Sequence, residues 1–340
     1  MKQRLLTHII YNCRNEKDFR NYFQMKIKLL HCLLCLTLFL TIPTIILAQR
    51  GGTKSAPKNE IKTFTAPAQP QTLEERIKTA LADFQGSAWI YAKNLDNGKV
   101  YELRADERVR TASTIKLAIM VEVFAQIAEN KLKLSDKITL KGKQGGSGIL
   151  GEFSEGTEID LKTLVNLMIV VSDNTATNLI LDKVTADAVN ARMEALGFQG
   201  IRSLRKIGGG GEAKIANEGI NRLFGIGSST MREMGRLMEM LERGEVVSKQ
   251  ASAEMIAILK RQQYTDGIGR GLLETTQIAS KSGALDRLRS DVGIVYTRRG
   301  RIAMAITVDE MPVVQYNEEN PGLKMLWRLS QILQDELGKK

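Results

Sequence analysis

The sequence predicts an α+β fold, in which an antiparallel sheet formed by N- and C-terminal strands packs against a mainly helical region. Three observations predict it. Strand-like runs lie on both sides of the middle of the chain, at Ser87–Leu103 and Val292–Val308. Between them, six segments carry apolar residues at helical spacing. No internal repeat is visible, so the two sets of strands are expected to meet in one sheet with the helices on it.

The elements follow in order. Met25-Lys26-Ile27-Lys28, the apolar run Leu29–Ala48 and then Gln49-Arg50-Gly51-Gly52 have the order of a secretory leader, with a small residue before a plausible cut. The run is long enough that an uncleaved anchor is the other reading, although Pro43 and three threonines weaken it. Residues 1–48 are therefore read as a leader, and translation starting at Met25 is an alternative. Residues 49–71, rich in Gly, Pro, Thr, Lys and Gln without apolar period, read as a linker. A single domain is expected over residues 72–340. It opens with the Thr-x-x-Glu capping pattern at Thr72-Leu73-Glu74-Glu75, which predicts a helix to about Phe84. Ser87–Leu95 and Lys99–Leu103 flank Asp96-Asn97-Gly98, a hairpin signal. Helices are predicted over Ser113–Asn130, Leu161–Val171, Thr175–Asp182, Ala188–Leu196, Met231–Glu242 and Lys249–Gln262. Val292–Tyr296 and Ile302–Val308 form a second hairpin, and Gly322–Leu337 closes the chain as an amphipathic helix.

Composition narrows the chemistry. The net charge is +11, but residues 1–48 hold seven basic and two acidic residues, leaving 42 against 36 for the rest. Aromatics are sparse and no basic run is interleaved with them, so the reading is a solvated basic surface and no nucleic-acid partner. The histidines are His8 and His31 and the cysteines Cys13, Cys32 and Cys35, all before Ala48. The predicted domain therefore cannot use a Ser-His-Asp triad, a Cys-His pair or a His/Cys zinc site. No metal or other cofactor is expected. A nucleophilic site here must activate a hydroxyl with lysine or a carboxylate.

Three short motifs supply such groups. Of three Ser-x-x-Lys patterns, at Ser55, Ser113 and Ser203, only Ser113-Thr114-Ile115-Lys116 opens a strongly apolar helical stretch. Residues three apart share a helix face, which sets the Lys116 amine beside the Ser113 hydroxyl. The helix start brings backbone N–H groups near the serine. A buried lysine sheds its proton more easily and can then act as base. The other reading is a serine cap and a surface lysine. Ser172-Asp173-Asn174 follows an apolar segment and precedes a helix. Asp173 reads as a cap or core brace, whereas Ser172 and Asn174 are candidates to relay a proton and grip an amide. In Lys281-Ser282-Gly283, strand alternation sets Lys281 and Gly283 on one face, the glycine leaving room along the strand edge.

In this order, 59 and then 109 positions apart, the motifs resemble those of class A β-lactamases and related penicillin-binding enzymes. The resemblance runs over roughly Leu73–Leu337 and includes Ser172-Asp173-Asn174-Thr175-Ala176-Thr177-Asn178. It implies a β-lactamase/transpeptidase-like fold and a serine acyl-enzyme. Ser113 would attack a lactam or peptide-like carbonyl, Lys116 would serve as base or relay, and the N–H groups of Ser113 and Ala284 would hold the oxyanion. Ser172 would pass a proton to the leaving nitrogen. Asn174 would bind the substrate side-chain amide, and Lys281 and Ser282, with Gly283 beside them, its carboxylate.

One departure stands out. Class A enzymes carry Glu-x-x-Leu-Asn on a loop after the Ser-Asp-Asn helix, and its glutamate activates the deacylating water. Asn217 matches that asparagine, but the position four before it is Ala213; Glu212 comes one residue early, behind Gly208–Gly211. Glu212 is thus either a base that swings in on a flexible loop or a solvated carboxylate, and Glu218 is the next candidate. Arg289, Arg298 and Arg270 are expected at the surface, at the surface and in a structural role, respectively. The leading expectation is an exported, monomeric β-lactamase in the periplasm or another extracytoplasmic space, touching membrane only through an uncleaved leader and conferring antibiotic resistance. The alternatives are a peptidoglycan D,D-peptidase and a slowly deacylating penicillin-binding sensor.

Overall fold

The computed structural model describes residues 71–339. The leader, and the linker before Gln71, lie outside them. Helix α1 (Leu73–Leu81) starts at Thr72 with the predicted reciprocal cap: Glu75 N–H donates to Thr72 Oγ1, and Thr72 N–H to the Glu75 carboxylate at 2.8 Å. Strands β1 (Ser87–Asn94) and β2 (Val100–Leu103) form the predicted hairpin, and Gly98 at its turn has φ 78°. A short β3 (Val109–Arg110) leads into a 3-10 turn, Ala112–Ile115, and then α2 (Lys116–Ala128). Next come β4 (Lys137–Thr139), β5 (Glu158–Asp160), α3 (Leu161–Val170), α4 (Asn174–Val184), α5 (Ala186–Ala195), β6 (Arg202–Ser203) and β7 (Gly227–Ser229). Helices α6 (Met231–Arg243) and α7 (Lys249–Leu259), strands β8 (Gln277–Leu285), β9 (Leu288–Thr297) and β10 (Gly300–Asp309), and helix α8 (Pro321–Leu337) complete the order.

The terminal strands do meet in one antiparallel sheet, ordered β2-β1-β10-β9-β8. Its two faces feed separate cores because side chains alternate along each strand. Trp89, Tyr91, Ala279, Val292 and Ala305 pack beneath the helical layer, with α2 at its centre. Ile90, Ala92, Val295, Met304 and Ile306 pack against α1 and α8 on the other face. Alternation from Ala279 turns Lys281 and Gly283 toward the helical layer, on the edge strand β8.

Two predicted boundaries shift for physical reasons. The α-helix after Ser113 begins at Lys116, because Ala112 sits at φ 47° and the chain first closes a tight turn with Thr114 N–H and Oγ1 both donating to Thr111 O. The second hairpin is tighter and its strands longer than the apolar pattern suggests, with register Thr297↔Gly300. The pairings β3-β7-β6 and β4-β5 involve two or three residues per strand, too short for any periodicity to register.

The helical layer seats closely on the sheet at Gly235 of α6. A Cβ there would lie 2.1 Å from Tyr91 Cδ1, and the ring is fixed by a 2.6 Å hydrogen bond from its hydroxyl to Glu239. Alanine in place of glycine gains about 1 kcal/mol of helix propensity, whereas overpacking a fixed neighbour costs about 1–3 kcal/mol. Gly235→Ala should therefore lower unfolding free energy in a denaturant titration. A gain in stability would show that Tyr91 can yield.

Candidate active site

The three motifs converge where the sheet edge meets the helical layer. Lys116, at the start of α2, is completely buried. Its Nζ donates to Ser172 O at 2.8 Å and Asn174 Oδ1 at 2.9 Å, and lies 3.2 Å from Ser172 Oγ. One amine thus binds both Ser172 and Asn174 directly. Ser172 adopts φ 53°, a left-handed conformation that costs an ordinary residue about 1–3 kcal/mol and persists only when its surroundings enforce it. Asp173 is the brace expected of it. One carboxylate oxygen caps α4 through Ala176 N–H at 2.8 Å, and the other accepts Ile149 N–H at 2.6 Å and Leu150 N–H at 2.8 Å.

Gly283 brings β8 against the turn that carries Ser113. A Cβ at 283 would sit 2.9 Å from Thr111 O and 3.1 Å from Ser113 N. The space expected for a ligand along the strand is thus taken by the Ser113 turn itself, which is why only glycine fits. Ser113 and Ser282 are half-buried, and Ala284 is exposed at the end of the strand.

Burial sets the charge states. Desolvation pushes Lys116 well below the ordinary lysine value of 10.5; the positive Lys281 adds to the fall and the negative Asp173 opposes it. Lys281 is also fully buried, donates to Ser282 O at 2.7 Å, and is lowered by desolvation to about 7. Behind it on β9, the buried Asp291 is raised to about 7 by desolvation, although it accepts Ile268 N–H at 3.0 Å.

The loop before β7 has its own small core of Ala186, Leu204, Ala213, Ala216 and Phe224. Ala213 and Ala216 turn inward, so the flanking Glu212 and Asn217 are exposed, as is Glu218. The Glu212 carboxylate accepts the N–H of Gly210 in its own loop at 3.2 Å. The loop is fastened to α4 at two neighbouring residues: Asn178 takes the N–H of Ile207 and donates to its C=O, both at 2.9 Å, and Lys206 Nζ donates to Asp182 Oδ1 at 2.8 Å. The structure therefore joins Ser113, Lys116, Ser172, Asn174, Lys281 and Gly283, and leaves Glu212 and Asn217 on the loop surface.

The arginines divide. Arg298 is exposed, and Arg270 stacks 5.1 Å over Trp327 and donates to Glu318 O, a structural role. Arg289 corrects the surface expectation. It is buried, donating to Leu285 O and Leu288 O at 2.6 Å and stacking 4.8 Å over Tyr316. Ser147, which belongs to none of the three motifs, also enters the site: its hydroxyl donates to Ser172 O at 2.6 Å and lies 3.2 Å from Asn174 Oδ1. The signal was Gly145-Gly146-Ser147-Gly148, which marks a backbone held close to something. Among the described residues, no cluster of side chains suits a metal ion and no helix is long and apolar enough to cross a membrane.

The fold and family have known counterparts. The model of the beta-lactamase enzyme family matches residues 72–337. The chain belongs to that family. It is 23% identical over 216 residues to beta-lactamase BRO-1 of Moraxella catarrhalis, covering 61% of this chain and 65% of that protein. The chain thus spans somewhat less than two thirds of this curated relative. The fold matches a crystal structure of a β-lactamase from Sphaerobacter thermophilus, with TM-score 0.68, 27% identity and coverage of 78% of this chain and 97% of that one. It also matches PBP-A with TM-score 0.67, 24% identity and coverage of 79% and 97%.

Asp291 gives this architecture a pH signature. Because its folded value lies above its ordinary 3.8, its contribution to stability is complete below about pH 4 and is lost as pH rises through about 7. Asp291→Asn should remove that decline, so the melting temperature of the variant gains on wild type between pH 5 and pH 8. Parallel melting curves across that range would show that the carboxyl is not held neutral.

Proposed function

We propose that the protein is an exported serine acyl-transfer enzyme that opens β-lactams through an ester on Ser113. The single observation that carries the reading is the buried Lys116, whose amine is held by Ser172 and Asn174 and driven toward its neutral form. A neutral amine can take the Ser113 proton as Oγ bonds to the carbonyl carbon. The N–H groups of Ser113 and Ala284 receive the negative charge on the carbonyl oxygen. The C–N bond then breaks, and Ser172, in contact with Lys116, returns the proton to the leaving nitrogen. Lys281 and Ser282 bind the substrate carboxylate and Asn174 its amide. The named β-lactamases among the relatives support this substrate class.

A second reading, slow release of the acyl group as in a penicillin-binding sensor or a peptidase, is favoured by the loop. Water attack on the ester needs a base within hydrogen-bond reach, a contribution of about 10²–10⁴-fold. The loop residues bonded to α4 are Lys206 and the apolar Ile207, and Glu212 is exposed and turned to Gly210. Entry of Glu212 into the site would require ordering of the glycine run each time. Acylation is therefore fast and hydrolysis slow. A stem-peptide mimic assayed beside a chromogenic lactam separates hydrolysis of the two substrate classes.

Intact-mass analysis and peptide mapping after penicillin treatment should find one adduct, on Ser113; a label on Ser203 or Ser147 would sink the assignment. Lactam consumption should show a burst near one equivalent and then a slow phase that Glu212→Gln leaves unchanged. A slow phase diminished by Glu212→Gln would make that residue the base.

Lys116→Ala and Lys281→Ala should fail differently. Loss of Lys116 should reduce the acylation rate constant, whereas loss of Lys281 should weaken apparent affinity by about 10- to 150-fold, the worth of one charge-assisted contact. Stopped-flow acylation across lactam concentrations measures both. Wild-type affinity in Lys281→Ala would remove the carboxylate-anchor role.

A further inference from the structure

The segment Gln144–Leu150 is latched onto all of Ser172-Asp173-Asn174. Asn174 N–H donates to Ser147 O at 3.1 Å and Asn174 Nδ2 to Gly145 O at 2.8 Å, while Ile149 and Leu150 donate to Asp173. Glycine is required on either side of Ser147. Gly146 has φ 104°, and Gly148 has φ 98°, with space so tight that a Cβ would fall 2.1 Å from Asp173 Oδ2. Ser147 is thus the one residue of 145–148 with a side chain, and its hydroxyl points at the acceptors used by Lys116.

We propose that Ser147 is a positioning residue for proton transfer at Lys116: its hydroxyl shares the Ser172 carbonyl with the lysine and so favours the amine that receives the Ser113 proton. A carbonyl oxygen has two acceptor sites. Here Lys116 Nζ takes one at 2.8 Å and Ser147 Oγ the other at 2.6 Å. An ammonium gains most from an acceptor it does not share, so the second donor weakens the hold of the carbonyl on the charged form. The same bond ties down the Ser172 peptide in its left-handed conformation. The other charges acting on Lys116 are Lys281 from β8 and Asp173 from the head of α4. Neither changes when Ser147 is replaced.

The inference rests on acylation at Ser113. Its test is the pH dependence of penicillin acylation, followed by intact mass, in wild type, Ser147→Ala and Thr175→Val. Without the hydroxyl, the Ser172 carbonyl serves the ammonium alone. The proton then leaves Lys116 at higher pH, and less amine is present on the acid side. In Ser147→Ala the acid limb of the profile should move upward, with acylation at pH 6 slowed about threefold to tenfold, the worth of one neutral hydrogen bond. Thr175→Val removes different latch bonds, from Gln144 N–H to Thr175 Oγ1 at 2.8 Å and from Thr175 Oγ1 to Gln144 O at 3.2 Å, and should leave the limb in place. An unmoved limb in Ser147→Ala, or an equal shift in Thr175→Val, would overturn the role of the hydroxyl. An absence of any wild-type adduct would instead overturn the acyl-enzyme itself.

Discussion

The burial of one lysine is the constraint around which the site is built. An amine in water is protonated at neutral pH, and removing it from water penalises the charged form unless acceptors surround it. Lys116 has such acceptors, but they are neutral: a carbonyl, a side-chain amide and a hydroxyl, with Asp173 acting from farther away. Neutral acceptors hold the nitrogen in place without fixing its charge. Presenting the Ser172 carbonyl to it demands a left-handed serine, and that conformation needs the glycine-flanked latch above it. Asp173 is thereby committed to bracing, with both of its oxygens occupied by backbone N–H groups.

The sheet supplies the opposite wall. Because strands from both ends of the domain pair, β8 lies at the sheet edge, beside the turn that carries Ser113. Gly283 allows backbone to touch backbone there. Lys281 is then buried on the same face and adds a repulsion that drives Lys116 further toward its neutral form. Asp291 counterbalances Lys281 through the sheet, while burial raises its own value to about 7. Burial thus disfavours charge on both residues.

Much of this was legible in residues whose physics is local. Thr72 and Glu75 announce their cap, Asn97-Gly98 its turn, and the apolar spacing of Ser113–Asn130 a buried helix. The motif residues were legible because their chemistry is rare and a domain free of histidine leaves few ways to activate a hydroxyl. What escaped depends on contacts distant in sequence. Arg289 reads as a surface charge until the carbonyls of Leu285 and Leu288 are seen to converge on it. Ser147 reads as loop until the chain folds it over Ser172, 25 residues later. Ile207 carries no motif, and its place beside α4 is set by the Asn178 side chain.

The central claim is that Lys116 is neutral enough at physiological pH to receive a proton, and the most direct test is its own titration. With lysines labelled at Cε and the Lys116 resonance assigned by substitution, the chemical shift followed by NMR against pH gives its ionisation apart from that of the surface lysines. The expected midpoint lies well below the ordinary 10.5. A Lys116 midpoint near that ordinary value would contradict it.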